Sequence, residues 1–382
     1  MDFPRGEPDR ERRSFVMTDH EDPIAEVRSV LGEFAIPGEL LEVAPFERGH
    51  IHDTYVSTWR AGGAAARYIH QRINDRVFGD VPGLMHNIEA VTRHLAGKLG
   101  AAGGFQTLRL VPSRCGAAFL VAPSGPWRTY HFIENSASFD VCESEEHAYR
   151  AARAFGEFQA HLIDLDLDGL RETIPHFFSS PHRMVQFRDA LDSDPLARAD
   201  AAETEVSFAL ERRPMVSVMA ERMRAGAFPR RTVHGDTKLN NVLFDRTGGE
   251  AVCIVDLDTC MPAYSLYDFG DLVRFTAATS AEDERDLSLV GTDLDLYRAL
   301  ARGYLDGAGG FLTAEEVELM PFAARLVTFT IGLRFLTDHL AGDVYFKTTR
   351  EGHNLDRARV QFGMVAWMEA HERELSTRAA RS

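Results

Sequence analysis

Residues 233 to 258 read Val-His-Gly-Asp-Thr-Lys-Leu-Asn-Asn-Val-Leu-Phe-Asp-Arg-Thr-Gly-Gly-Glu-Ala-Val-Cys-Ile-Val-Asp-Leu-Asp. A polar loop leads into a short apolar strand, a Gly248-Gly249 turn and a second apolar strand that ends on a carboxylate, Asp256. A hairpin of this kind brings Asp256 back beside Asn241. The competing reading is a surface hairpin with a polar lead-in. A buried strand pair, however, rarely gathers so many charge-bearing residues at one end.

Within that loop His234, Asp236, Lys238 and Asn241 stand in the spacing His-x-Asp-x-Lys-x-x-Asn, which resembles a kinase catalytic loop. The resemblance gives each residue type a reason. Asp236 accepts or orients the proton of an attacking hydroxyl, and Lys238 neutralises a transferring phosphoryl group. Asn241 and Asp256 hold Mg2+, a hard cation that prefers oxygen ligands. Asp258, two residues further on, either supports the metal or substrate or is a solvated loop acid. A literal Asp268-Phe269-Gly270 follows, but the metal carboxylate must leave the hairpin that starts at Asn241. Asp268 is therefore expected to cap a helix beginning near Phe269. The gap from Asp256 to Asp268 is also too short for the activation segment of a protein kinase, so the acceptor is expected to be a small molecule.

The chain has 382 residues, 45% of them hydrophobic, enough for a large core or two lobes. A net charge of −16 and the lack of a Lys/Arg-rich run argue against nucleic-acid binding. Cys115, Cys142, Cys253 and Cys260 show no metal-ligand spacing and are expected to be free thiols in a reducing, cytoplasmic setting. No continuous apolar run approaches the ~18 residues of a membrane span, so no membrane partner is expected. A monomer is expected.

Around the central stretch, hydrophobic spacing predicts a helix over 23–34, strands between 40 and 60, a strand over 67–74 and a helix over 81–99. Short strands are predicted at 108–111, 118–121 and 130–134, then a helix over 144–162. Thr313 and Glu316 form a capping box, Pro321 is expected to restart the next helix, and Gly342 suits its end. The fold class is α+β. Residues 1–22 and 377–382 are tails, 23–134 form a β-rich nucleotide-binding lobe, and 135–376 form a mainly helical catalytic lobe.

That order is similar to the bilobal protein-kinase-like fold, in the branch of aminoglycoside phosphotransferases and choline kinases. It resembles most closely the bacterial N-acetylhexosamine 1-kinases. The stretches that carry the resemblance are Gly49-His50-Ile51-His52-Asp53-Thr54-Tyr55, Gln71-Arg72-Ile73-Asn74, Phe132-Ile133-Glu134 and the catalytic hairpin. Ser265 to Asp271 and Arg334-Phe335-Leu336-Thr337-Asp338 complete them. The resemblance implies an ATP- and Mg2+-dependent kinase of the anomeric hydroxyl of an N-acetylhexosamine. An aminoglycoside, choline or homoserine is the alternative acceptor. A non-catalytic nucleotide-binding module would be expected to lack Asp236, Asn241 or Asp256.

In the small lobe Gly49 and His50 would stand at the phosphates, since no Gly-x-Gly-x-x-Gly is present. Gln71 or Arg72 takes the place of the usual strand lysine, with Glu89, or else Asn87, as helix partner. Phe132, Ile133 and Glu134 form the adenine-binding hinge or an ordinary core strand. On the acceptor side the resemblance points to Arg334, Tyr345 and Phe275. Arg334 lies in a helix apolar nearly all round, so it requires either a buried acid or a bound polar substrate.

Overall fold

A computed structural model describes residues 23–46, 51–99, 104–247 and 249–376. The described chain opens with helix α1 (Pro23–Leu31), followed by β1 (Glu39–Pro45), β2 (Asp53–Ala61), β3 (Ala64–Arg72) and helix α2 (Val81–Leu99). Strands β4 (Leu120–Ala122) and β5 (Gly125–His131) complete an antiparallel sheet in the order β1-β2-β3-β5-β4. On β2, Ser57 and Trp59 are buried on the face that packs against α1, and Thr54 is buried on the opposite face beside Gln71. Trp59, Tyr68 and Trp127 pack with Val27, Leu31 and Phe34 to hold α1 on the sheet.

Strand β6 (Ser136–Ala137) leads into the large lobe, a helical layer built on α3 (Glu145–His161), α4 (Ser180–Ser193), α5 (Glu203–Glu211) and α6 (Val218–Arg224). Strand β7 (Arg231–Val233) enters the His234–Asn241 loop, and β8 (Val242–Asp245) and β9 (Ala251–Ile254) form the hairpin. Strand β10 (Met261–Ala263) pairs back on β7. Four helices close the fold: α7 (Leu266–Thr276), α8 (Leu294–Ala308), α9 (Ala314–Ala341) and α10 (His353–Ala370). Ala152, Phe155, Phe158, Phe269, Leu272 and Tyr304 lie in the main core beneath the hairpin. The architecture is the expected α+β one, an antiparallel small lobe followed by a helical large lobe.

Several boundaries differ from the sequence expectation. Residues 108–111 form no strand; Leu110 makes a single bridge to Tyr130. Strand β5 stops at His131, so 132–134 form a connection between the lobes. Pro321 does not restart a helix but lies inside α9, which the Thr313–Glu316 capping box has already begun. The proline removes one donor, and Met320, Ala323 and Ala324, buried on either side of it, hold the helix together. Helix α9 is long and apolar enough to cross a membrane, yet 67% of that window is buried inside the protein, as in a core helix.

Candidate active site

The hairpin closes at its base through the Val255 amide, which donates to the Asn241 carbonyl at 2.9 Å. Asp256 then adopts a left-handed conformation (φ 62°), which turns its carboxylate into the cleft. Asn241 is oriented by its Nδ2, which donates to the Asp236 carbonyl at 2.8 Å. Its side-chain oxygen is thereby left free to act as a ligand. The Lys238 ammonium lies 2.9 Å from Asp236 Oδ1. Burial disfavours both charges, but their attraction prevails: the Asp236 carboxyl is held below the usual range and the Lys238 ammonium above it.

What fixes this loop is Asp268, and not as a helix cap. It lies within the first turn of α7, whose N-cap is Ser265, and its carboxylate accepts the backbone N–H groups of His234 and Gly235, each at 2.8 Å. Gln159 of α3 donates to the same carboxylate. Thr237 Oγ1 donates to the Asp268 carbonyl at 2.6 Å, and the Thr237 amide donates to Asp271 at 3.1 Å. His234 Nε2 donates to the Val255 carbonyl at 3.0 Å, and Thr259 Oγ1 donates to the His234 carbonyl at 2.8 Å. The loop is thus bolted at His234, Gly235 and Thr237.

Asp256 is exposed on the cleft floor, with protein packed densely around it. That enclosure, together with Asp258 and Asp236 nearby, pushes its carboxyl up to about 7. A group in this position favours a cation beside it. Among the described residues no three His, Cys, Asp or Glu side chains converge as a self-sufficient metal cage. One carboxylate and one amide oxygen nevertheless suit Mg2+, which keeps waters and takes further oxygens from a phosphate.

Asp258 is already engaged. Arg128, on β5 and only 1% exposed, grips both of its oxygens, and His52 Nε2 contacts it as well. The Asn74 amide donates to His52 Nδ1 at 3.0 Å, which leaves the proton on Nε2 for Asp258. Burial raises the Asp258 carboxyl, but Arg128 and His52 outweigh it and hold it well below its usual range. Asp258 is therefore neither a solvated loop acid nor a free substrate ligand. Arg128 Nε also donates to Gln71 Oε1 at 2.9 Å, across the β3–β5 register pair Gln71–Arg128. Gln71 thus faces the buried side, and Arg72 points outward to Asp53.

Among the described residues the Glu89 carboxylate pairs with Arg93 alone, whereas the buried Asn87 donates to the carbonyls of Cys260 (3.0 Å) and Arg171 (2.8 Å). In the lobe connection the Phe132 amide donates to the Arg67 carbonyl, and the Arg67 side chain pairs with Glu134 and covers the Phe132 ring at 3.9 Å. Ile133 is buried, its carbonyl accepting from Ser136 Oγ at 2.7 Å. Gly49 and His50 lie outside the described residues.

Arg128 and His52 escaped the sequence reading. The available signal was an arginine between Trp127 and Tyr130 in a strand that alternation would otherwise bury.

On the acceptor side Arg334 is half-buried and, among the described residues, has no acidic partner. It lies among the rings of Phe177, Tyr345 and Phe346, 5.3–5.8 Å from their centroids. Tyr345 is 62% exposed. Phe275 is half-buried against the main core. Phe178, next to Phe177, contacts the Tyr267 ring at 4.4 Å and stands against Gly235 of the catalytic loop. Phe177 and Phe178 thus connect the Arg334 side chain to the loop that carries Asp236.

Comparison with known proteins agrees with this fold. A microcompartment-associated aminopropanol kinase superimposes with TM-score 0.59 at 14% identity, covering 93% of this chain and 99% of its own. An aminoglycoside phosphotransferase from Alicyclobacillus acidocaldarius gives 0.56 at 14% identity, covering 91% and 96%. Choline kinase from Cryptosporidium parvum gives 0.55 at 12% identity, covering 86% and 89%. Residues 42–309 match the family described as "Phosphotransferase enzyme family" (APH), a span that includes the small-lobe sheet, the catalytic loop and the Asp268 anchor. The chain belongs to that phosphotransferase family.

Proposed function

We propose that the protein transfers the γ-phosphoryl group of ATP, with Mg2+, to the anomeric hydroxyl of an N-acetylhexosamine. The observation that carries this reading is the Arg334 side chain, which is set among aromatic rings that reach the Asp236 loop and has no carboxylate partner among the described residues. Guanidinium groups only donate, so they suit an acceptor rich in hydroxyl and carbonyl oxygens. A polycationic aminoglycoside or a quaternary amine would be repelled there. The structurally similar spectinomycin phosphotransferase is described in complex with ADP, which supports a nucleotide under the small-lobe sheet.

In this mechanism the acceptor hydroxyl lies beside Asp236, which takes its proton as the oxygen attacks. Lys238, paired with that carboxylate, lowers the negative potential that an incoming phosphate would meet. Asn241 and Asp256 would hold Mg2+, which when bound neutralises phosphate charge. Arg334 fixes the sugar against the aromatic rings, so that only one hydroxyl reaches Asp236. A panel of neutral hexoses, N-acetylhexosamines, choline and aminoglycosides, followed by phosphorus NMR of each product, tests the reading. A sugar 1-phosphate from an N-acetylhexosamine is expected. Turnover confined to amines would overturn it.

A further inference from the structure

Helices α4 and α9 run side by side in parallel register. Ser180 Oγ lies 2.8 Å from Thr330 Oγ1 near one end, and Arg198 donates to the His339 carbonyl at 2.8 Å near the other. One turn beyond Ser180 this register sets Arg183 beside Arg334. Two guanidinium groups thus stand together, and among the described residues neither has an acidic partner. Arg183 Nη1 donates to Gln186 at 2.8 Å, but its Nε is buried without a hydrogen-bond partner. The Arg183 pKa is lowered by burial first and by Arg334 second, and both arginines also bear on Tyr267.

The surroundings sharpen the imbalance. The chain as a whole carries a net charge of −16. The nearby Asp271 is taken by Arg274 at 2.9 Å and by the Thr237 amide. Arg350 and Arg357, further along the same region, both have acidic partners. A like-charge pair left uncompensated, with one of its donors buried and unsatisfied, favours a bound anion. Phe177, beside Arg334, adjoins Phe178, which stands against Gly235, so the pair lies on the side of the fold that faces the Asp236 loop.

We propose that the acceptor carries an anionic group, a carboxylate or a phosphate, bound jointly by Arg183 and Arg334 at its end away from Asp236. This rests on the hexosamine reading and narrows it to an acidic N-acetylated sugar. Arg183 then sets specificity without touching the reacting hydroxyl.

Two measurements test it. In the first, kcat/KM is determined for N-acetylglucosamine and for its uronic acid, a 3-O-carboxyalkyl ether and its 6-phosphate, on wild type, Arg183→Gln and Arg183→Lys. The expected result is at least a roughly tenfold preference for a carboxylate- or phosphate-bearing sugar, and which arm gains identifies the anion. Arg183→Gln should erase that preference, the acidic sugar losing at least about tenfold more kcat/KM than the neutral one, and lysine should restore it only in part because it lacks the two-donor fork. Equal or better use of the neutral sugar, unaffected by Arg183→Gln, overturns the anion site and leaves the hexosamine reading intact. In the second, ADP-saturated enzyme is titrated with inorganic phosphate or malonate and its melting temperature is followed. Arg183-dependent stabilisation supports the anion site even if no hexosamine proves to be a substrate, and its absence with both anions overturns the proposal.

Discussion

Asp236 and Asp268 are both carboxylates in the catalytic region, and the hydrogen bonds around them assign opposite duties. Asp236 faces the cleft with one lysine, whereas Asp268 is fully buried and holds two backbone amides. Asp236→Asn should abolish turnover and leave Mg-ADP affinity by calorimetry within about threefold, since the nucleotide is held elsewhere. Activity within tenfold of wild type would remove Asp236 as the base. Asp268→Ala strands the His234 and Gly235 amides, each costing about 1–3 kcal/mol. It should lower both melting temperature and kcat, because the loop it anchors carries Asp236, while Mg-ADP still binds. Asp256→Ala should instead remove the magnesium dependence of ADP binding with little change in melting temperature. The reverse pattern would show that Asp268, and not Asp256, serves the metal.

Among the elements, the small-lobe sheet contains a histidine that charge would disrupt. His70 on β3 is fully buried between Ser57 Oγ (2.6 Å) and Thr129 Oγ1 (2.8 Å), and burial pushes its pKa down to about 3. The unfolded chain takes up that proton near pH 6.5 and the folded chain does not. His70 therefore costs nothing above about pH 6.5, and stability is lost as pH falls from there towards 3, by up to about 1.4 kcal/mol per unit. Urea midpoints across that window should slope less steeply for His70→Gln than for wild type; identical slopes would mean that His70 is accessible to protons. Element-scale features such as α2 and the Thr313 capping box were legible because apolar periodicity and cap chemistry are local signals. Pro321 misled because a proline vetoes only one hydrogen bond, and the burial on either side of it lies outside any local window. Composition left Gln71 and Arg72 open as the inward residue, and the pleat turns Gln71 inward and leaves Arg72 to Asp53.

For the whole molecule the decisive contact is one that no single stretch of sequence contains. His52 and Arg128 come from the small lobe and Asp258 from the large one, and the buried group they form joins the lobes directly behind the catalytic hairpin. The bilobal order was readable from the succession of strands and helices. The bolt between the lobes was not, because its members lie 206 and 130 positions from Asp258. Removing one partner of a buried ion pair costs about 3–5 kcal/mol, largely because the remaining charge is stranded, and Asp258→Ala strands Arg128 together with His52. If this group couples the lobes, the wild-type protein unfolds in one calorimetric transition. Asp258→Ala should then melt in two, or in one broad transition whose van't Hoff enthalpy falls below the calorimetric value. Asp268→Ala, which damages only the large lobe, should melt earlier but still in a single step. The double variant Arg128→Met/Asp258→Leu, with no stranded charge, should recover much of the lost melting temperature without recovering the single transition, unless apolar packing alone can join the lobes. A sharp single transition in Asp258→Ala would show that the connection at 132–134 and the Asn87 contacts to Cys260 and Arg171 already suffice to make the lobes one cooperative unit.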